Sequence, residues 1–263
     1  MTLAATSPVS EGTPVESVSS IAKAARVLRA LATAGVGDAG VTRIALSAQL
    51  PKSTTHRVLA ELIGEGLVAH SGSRYRLGPG WFALQEALSS SEWLRMVERA
   101  RTPLAQLFER TGATVHMGVL DGDRVLYLEK LTASGGTTIP TRVGAHMPAS
   151  CTAVGKVLLA HSSPDVVRAL LAKPLPVLAR RSIATPRQLM SQLAEIRRSG
   201  VACDIEESQA GVFCVAAPVF REGRVVAAVS VTRVGSRGLT PSDPAEARSA
   251  AKQISRWIDD TGA

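Results

Sequence analysis

Apolar positions along this chain recur with two periods, and the changes of period divide it. Over SVSSIAKAARVLRALATAG, the residues Ile21, Ala24, Ala25, Leu28 and Leu31 fall at helical spacing on one face. Ser19 or Ser20 can cap that helix, and Gly35 and Gly37 can stop it. VTRIALSAQL carries a second helical pattern. PKSTTHRVLAELIGEGL carries a third, with Pro51 in its first turn. LVAHSGSRYRLGPG then reads as two short strands around Ser71-Gly72-Ser73. Three helices followed by a hairpin predict one compact unit over residues 18–80, preceded by a small, polar arm over 1–17.

From Trp81 to Gly112 the helical period returns, interrupted near Ser89–Ser91, and its first part, 81–99, reads as a linker helix. Pro103 falls where a second helix starts or kinks. Beyond it, residues 100–263 mix both periods. ATVHMGVLDGDRVLYLEKL and GVFCVAAPVFREGRVVAAVSVTRV each read as two strands about a turn. SCTAVGKVLLAH, RQLMSQLAEIRRSG and PAEARSAAKQISRWIDD read as helices. The predicted class is α+β: an N-terminal helical unit with a hairpin, and a second domain in which helices flank an antiparallel sheet.

Charge sharpens the first unit. The chain of 263 residues has a formal net charge of +8. From Ile21 to Gly80 the basic residues Lys23, Arg26, Arg29, Arg43, Lys52, Arg57, Arg74 and Arg76 face only Asp38, Glu61 and Glu65. Clustered cations gain free energy by releasing counterions from phosphates, so a polyanionic partner is expected. An odd number of cysteines, Cys151, Cys203 and Cys214, at irregular spacing argues against a secreted disulfide framework. The N-terminus lacks a basic start followed by an apolar block, and no apolar run approaches a membrane-spanning length. A cytoplasmic protein without a membrane partner is expected.

In the third helical pattern, Val58, Leu59, Leu62 and Leu67 turn inward with Ile44, Ala45, Ala48 and Leu50. Lys52, Ser53, Thr54, Thr55, His56 and Arg57 are left at the exposed start. Hydroxyls and a helix N-terminus take phosphates, and a long cation reaches a guanine edge in the major groove. The hairpin would bring Arg74 or Arg76 to the flanking backbone. A merely solvated helix in a small helical domain is the alternative; the basic bias, the hairpin and the second domain count against it.

LPKSTTHRVLAELIGEGLV with RYRLGPG, then TGATVHMGVLDGDRVLYLEKL, VGAHMPASCTAVGKVLLA and GVFCVAAPVFREGRVVAAVSV, resemble in order the IclR family of bacterial regulators. Gln49 and Ser150 depart from the family's usual glycine and histidine. The resemblance implies a winged helix-turn-helix that binds double-stranded operator DNA as a dimer or tetramer. It also implies a GAF-like effector domain that senses a small organic acid, with no cofactor. Ala153, Val154, Asp204, Cys214, Ser230 and Thr232 match positions that contact effector in the family.

Residue chemistry speaks to the same region. Backbone N–H groups of Ala153, Val154 and Gly155 at a helix start suit a carboxylate, although an ordinary capped helix with close-packing alanine and glycine explains them too. Ser230 and Thr232, two apart on a strand, share a face. Asp204 would repel a carboxylate, so the ligand should bring a hydroxyl, amine or hydrated carbonyl there, or the acid should be protonated. With aromatic residues at 3%, an aromatic cage is not expected. Glu206 and Glu207 read as a solvated loop.

An alternative gathers Cys151, Cys203 and Cys214 near Asp204 and His146 as a zinc or thiol sensor, though no CxxC or CxH spacing supports it. A catalytic role has no recognisable nucleophile arrangement behind it: GxSxG, Walker and HExxH motifs are absent. An enzyme carrying a DNA module, or a binding module without transcriptional output, remain as other classes.

Overall fold

The computed structural model describes residues 18–33, 38–89, 91–132, 139 and 141–259. The arm expected over 1–17 and the stop glycines Gly35 and Gly37 lie outside them. The chain divides into two compact units, Met1–Ser90 and Ser91–Ala263.

In the first unit α1 (Ser20–Thr33) packs on α2 (Val41–Ala48) and α3 (Lys52–Gly64). Ser19 caps α1, accepting from Ala22 N–H at 3.2 Å. The buried face of α1 is Val27, Ala30 and Leu31, flanked by Ala24 and Leu28. Ile21, expected in that face, is 84% exposed, because the packing surface lies on the C-terminal turns and the first turn runs past it. Ile44, Ala45 and Ala48 of α2 and Val58, Leu59 and Leu62 of α3 complete the core, with Leu50 and Leu67 partly covered. The two helices are joined through Gln49, whose backbone is left-handed (φ 53°, ψ 48°).

The hairpin is β2 (Val68–Ser71) and β3 (Arg74–Leu77), closed by Gly72-Ser73. A short strand that the pattern did not predict, β1 (Ala39–Gly40), pairs with the other edge of β3. The segment after β3 folds back so tightly that a Cβ on Gly78 would sit 2.3 Å from the Gly66 carbonyl, which is why glycine stands there. Then α4 (Gly80–Ser89) closes the unit, anchored by Trp81, whose indole N–H donates to the Leu67 carbonyl at 2.8 Å.

The second unit opens with α5 (Glu92–Thr111), which runs through Pro103. The interruption expected near Ser89–Ser91 falls between the end of α4 and the start of α5, so the stretch 81–99 is carried by both. A six-stranded antiparallel sheet follows, built from β4 (Thr114–Asp121), β5 (Arg124–Leu131), β6 (His146–Pro148), β7 (Ala202–Ile205), β8 (Val212–Arg221) and β9 (Arg224–Val234) in the spatial order β6-β5-β4-β9-β8-β7. α5 and α9 (Asp243–Asp259) cover one face. α6 (Ala153–Ala160), α7 (Pro164–Leu171) and α8 (Pro186–Ser199) cover the other. All of α6 is buried, as befits a helix packed between sheet and α8. β6, β7 and α7 were not predicted. Among the described residues no helix is long and apolar enough to cross a membrane.

Candidate DNA-reading helix and effector pocket

α3 separates two faces by its spacing. Thr55, Val58, Leu59 and Leu62 fall at i, i+3, i+4 and i+7 and are buried; Lys52, Ser53, His56 and Arg57 are exposed and Thr54 is half-buried. Thr55, expected on the outer surface, has no exposed area, and its hydroxyl donates to the Pro51 carbonyl at 3.0 Å. It is an interior helix-start residue and not available to DNA. Pro51 itself caps α3 from just outside. On β3, Arg74 and Arg76 share the exposed face, two residues apart. The Arg74 guanidinium donates to the Asp38 carbonyl, while Arg76 is exposed beside it.

In the second unit, β-pairing aligns Asp204, Cys214 and Thr232 across β7, β8 and β9, and Ser230 opposite His116 of β4. Of these, the His116, Asp204, Cys214 and Thr232 side chains line a cavity beside the start of α6. The walls include His116, Tyr127, Thr141, Thr152, Val154, Asp204, Ser208, Gln209, Cys214 and Thr232. No lysine or arginine is among the described lining residues. Of the expected effector residues, Val154, Asp204, Cys214 and Thr232 therefore reach the cavity, whereas Ala153, Gly155 and Ser230 are buried beside it.

Gly155 is explained by packing: a Cβ there would stand 2.2 Å from the Ala149 carbonyl oxygen. Its N–H, expected to point outward, is taken by the Thr152 hydroxyl at 3.0 Å. The remaining N–H groups of the first turn, on Ala153 and Val154, precede the first intrahelical bond.

Asp204 accepts from the Glu207 N–H at 2.7 Å, the Ser208 N–H at 3.3 Å and the Ser208 hydroxyl at 2.6 Å. Burial pushes its carboxyl above the ordinary range, and the Ser208 hydroxyl pulls against that. His116 Nε2 lies 2.8 Å from Thr141 Oγ1 and Nδ1 lies 3.3 Å from Thr232 Oγ1, whose hydroxyl donates to Cys214 Sγ at 3.2 Å. Burial, with the Lys130 charge second, lowers His116 to about 3. Its ring is neutral at physiological pH. Burial pushes the Cys214 thiol up to about 12.

Residues 88–259 match the model of the C-terminal domain of the bacterial transcriptional regulator IclR, and residues 20–72 match the IclR helix-turn-helix domain. The chain belongs to the IclR family. Over 201 residues it is 35% identical to the transcriptional regulator XynR of Escherichia coli K12, covering 75% of this chain and 79% of that one. It is 29% identical over 224 residues to the repressor IclR of the same organism, 84% of this chain and 81% of the repressor. Among solved structures, an IclR homologue from Microbacterium hydrocarbonoxydans in complex with 4-hydroxybenzoate aligns with a TM-score of 0.79 at 28% identity, over 91% of this chain and 99% of the other. The IclR of Thermotoga maritima aligns at 0.72 with 27% identity, over 90% and 98%.

In this IclR-family chain the zinc or thiol alternative has no support among the described residues. Among the described residues no three His, Cys, Asp or Glu side chains gather as metal ligands. Cys151 is buried, its thiol donating to the Pro176 carbonyl at 3.2 Å, Cys203 is exposed, and His146 pairs with Asp121 at 2.8 Å. Burial raises all three thiols, away from the reactive thiolate.

Sequence reasoning missed His116, Tyr127, Thr141 and Thr152 as cavity walls. A signal was present in TGATVHMGV. Val115, Met117 and Val119 pack on the α5–α9 side, so Thr114, His116 and Gly118 must face the other way. A histidine on that face of a buried strand calls for a polar partner or a ligand.

Proposed function

We propose that this protein is an effector-responsive transcription regulator that reads operator DNA with α3 and senses a small organic acid in the cavity of its second unit. The observation that carries the DNA reading is the division of α3, with one face building the core and the other carrying Lys52, Ser53, Thr54, His56 and Arg57 outward. Arg57 reaches a base edge; Lys52, Ser53 and the β3 arginines Arg74 and Arg76 hold the phosphate backbone.

The acid presents its carboxylate to the Ala153 and Val154 N–H groups at the α6 start, where the helix dipole favours an anion. Its other polar end meets Asp204. The relative bound to 4-hydroxybenzoate, which carries a carboxylate and a hydroxyl, supports that class. The cavity acts by binding and not by turnover: Cys214 is held as a thiol and His116 is engaged by Thr141.

Two copies bind a two-fold operator, associating in part through α4, where Phe82 is 76% exposed beside Leu84 and Leu88. Half-sites about 34 Å apart set the spacing two recognition helices must meet.

The test is fluorescence anisotropy on DNA from upstream of the protein's own gene, with excess non-specific competitor. Saturable binding should survive competitor in the wild type and weaken at least fivefold in Arg57→Ala, since one bidentate base contact is worth about 1–3 kcal/mol. Equal loss of both proteins to competitor would reduce the interaction on that fragment to charge attraction.

A further inference from the structure

The loop between β7 and β8, residues 206–211, has two sides. Together with Asp204 just ahead of it, Ser208 and Gln209 face the cavity. Glu207 turns the opposite way, into the core. Both its carboxylate oxygens lie 2.6 Å from the Lys156 ammonium, with side-chain exposures of 0% for Lys156 and 8% for Glu207. The same ammonium donates to Gln192 Oε1 of α8 at 2.7 Å. The Glu207 backbone is committed as well: its N–H donates to Asp204, and its carbonyl accepts from the Ser182 hydroxyl at 2.6 Å. Glu206, next door, holds a left-handed backbone (φ 60°) while its carboxylate accepts from Gly211 N–H at 2.9 Å.

A buried ion pair adds little net stability on average, because desolvation offsets the attraction. A purely stabilising role would be served as well by two apolar side chains. The location suggests something else. Lys156 stands on α6 one turn past Thr152 and two residues past Val154, both of which line the cavity, and Glu207 sits in the loop that brings Ser208 and Gln209 to the cavity beside Asp204.

We infer that the Lys156–Glu207 pair clamps the 206–211 loop to α6 and so fixes the separation of the Thr152–Val154 and Asp204–Ser208–Gln209 sides of the cavity. Lys156 and Glu207 are positioning residues for the effector and touch none of it. This inference rests on the cavity being the effector site.

Hydrogen–deuterium exchange of the full-length protein tests it, comparing wild type with the double variant K156M/E207M, whose apolar side chains fill the space without leaving a lone charge. The segment 203–213 should exchange at least tenfold faster in the double variant, while the sheet and α9 keep wild-type protection. Exchange of that segment within twofold of wild type, in a variant that melts normally, overturns the clamp. Should K156M/E207M not fold, E207Q keeps the shape and one acceptor for Lys156, and a threefold or greater acceleration confined to 203–213 is the expected result; no acceleration overturns the clamp equally. Added 4-hydroxybenzoate or benzoate, followed as protection of the cavity strands in wild type and in Thr232→Val, tests the effector reading separately. Failure there leaves the exchange comparison of the loop intact.

Discussion

His116 shows how one residue is set by its surroundings. With the Thr232 hydroxyl given to Cys214, Nδ1–H donates to Thr232 Oγ1 and Nε2 accepts from Thr141, so a single ring proton satisfies both nitrogens. A second proton would place a charge in a buried site close to Lys130, and burial first, then Lys130, lowers the group to about 3. In the unfolded chain the same imidazole titrates near its ordinary value of about 6.5. Between those limits the unfolded state binds a proton that the folded state does not, so stability rises with pH across about 3 to 6.5 and falls on acidification. The slope from this group is at most about 1.4 kcal/mol per pH unit. Thermal melts from pH 7 to pH 4 should therefore drop less steeply for His116→Gln than for wild type. Parallel curves would show that the histidine is protonated in the fold.

The turn between α2 and α3 can be judged as an element. Gln49 occupies left-handed space, its N–H bonding to the Ala45 and Leu46 carbonyls, and Leu50 N–H reaching Ala45 O at 3.0 Å. Its side chain is exposed, so it offers no packing to offset the strain. A left-handed L-residue costs about 1–2 kcal/mol, and glycine returns part of that through the greater freedom of its unfolded chain. Gln49→Gly should stabilise the protein by about 0.5–1 kcal/mol, read as a higher urea midpoint with unchanged slope, and leave operator affinity unchanged. A lower midpoint would mean that the Gln49 side chain makes a contact that matters.

Elements of this kind were legible where local chemistry decides them. The periodicity of α2 and α3, the Gly72-Ser73 hairpin and the Glu222-Gly223 turn between β8 and β9 all follow from neighbours in sequence. β1 and β6 are two and three residues long and exist because the edge of a strand farther along the chain offers hydrogen bonds, while the four residues of β7 are too few to show a period of their own. Thr55 and Glu207 were misread for a related reason. Polar residues are expected in water until a specific partner is known, here the Pro51 carbonyl and the Lys156 ammonium.

At the scale of the molecule the chain passes once between its two compact units, at residues 90–91. The candidate DNA-reading helix lies in one unit and the cavity in the other, so regulation requires a coupling free energy between sites that share no residue. Such couplings are typically about 1–3 kcal/mol, or 5–150-fold in affinity. Linkage makes the effect reciprocal: whatever factor an effector imposes on operator affinity, operator must impose on effector affinity. A panel of small acids with and without a hydroxyl, beginning with 4-hydroxybenzoate and benzoate, is screened for binding by calorimetry. A binder is then added at saturation to the operator anisotropy assay. Operator affinity should change at least fivefold, and calorimetry repeated with operator duplex present should return the same factor. A ligand that fills the cavity yet leaves operator affinity unchanged would separate the two units functionally, since a ligand with equal affinity for two states shifts neither.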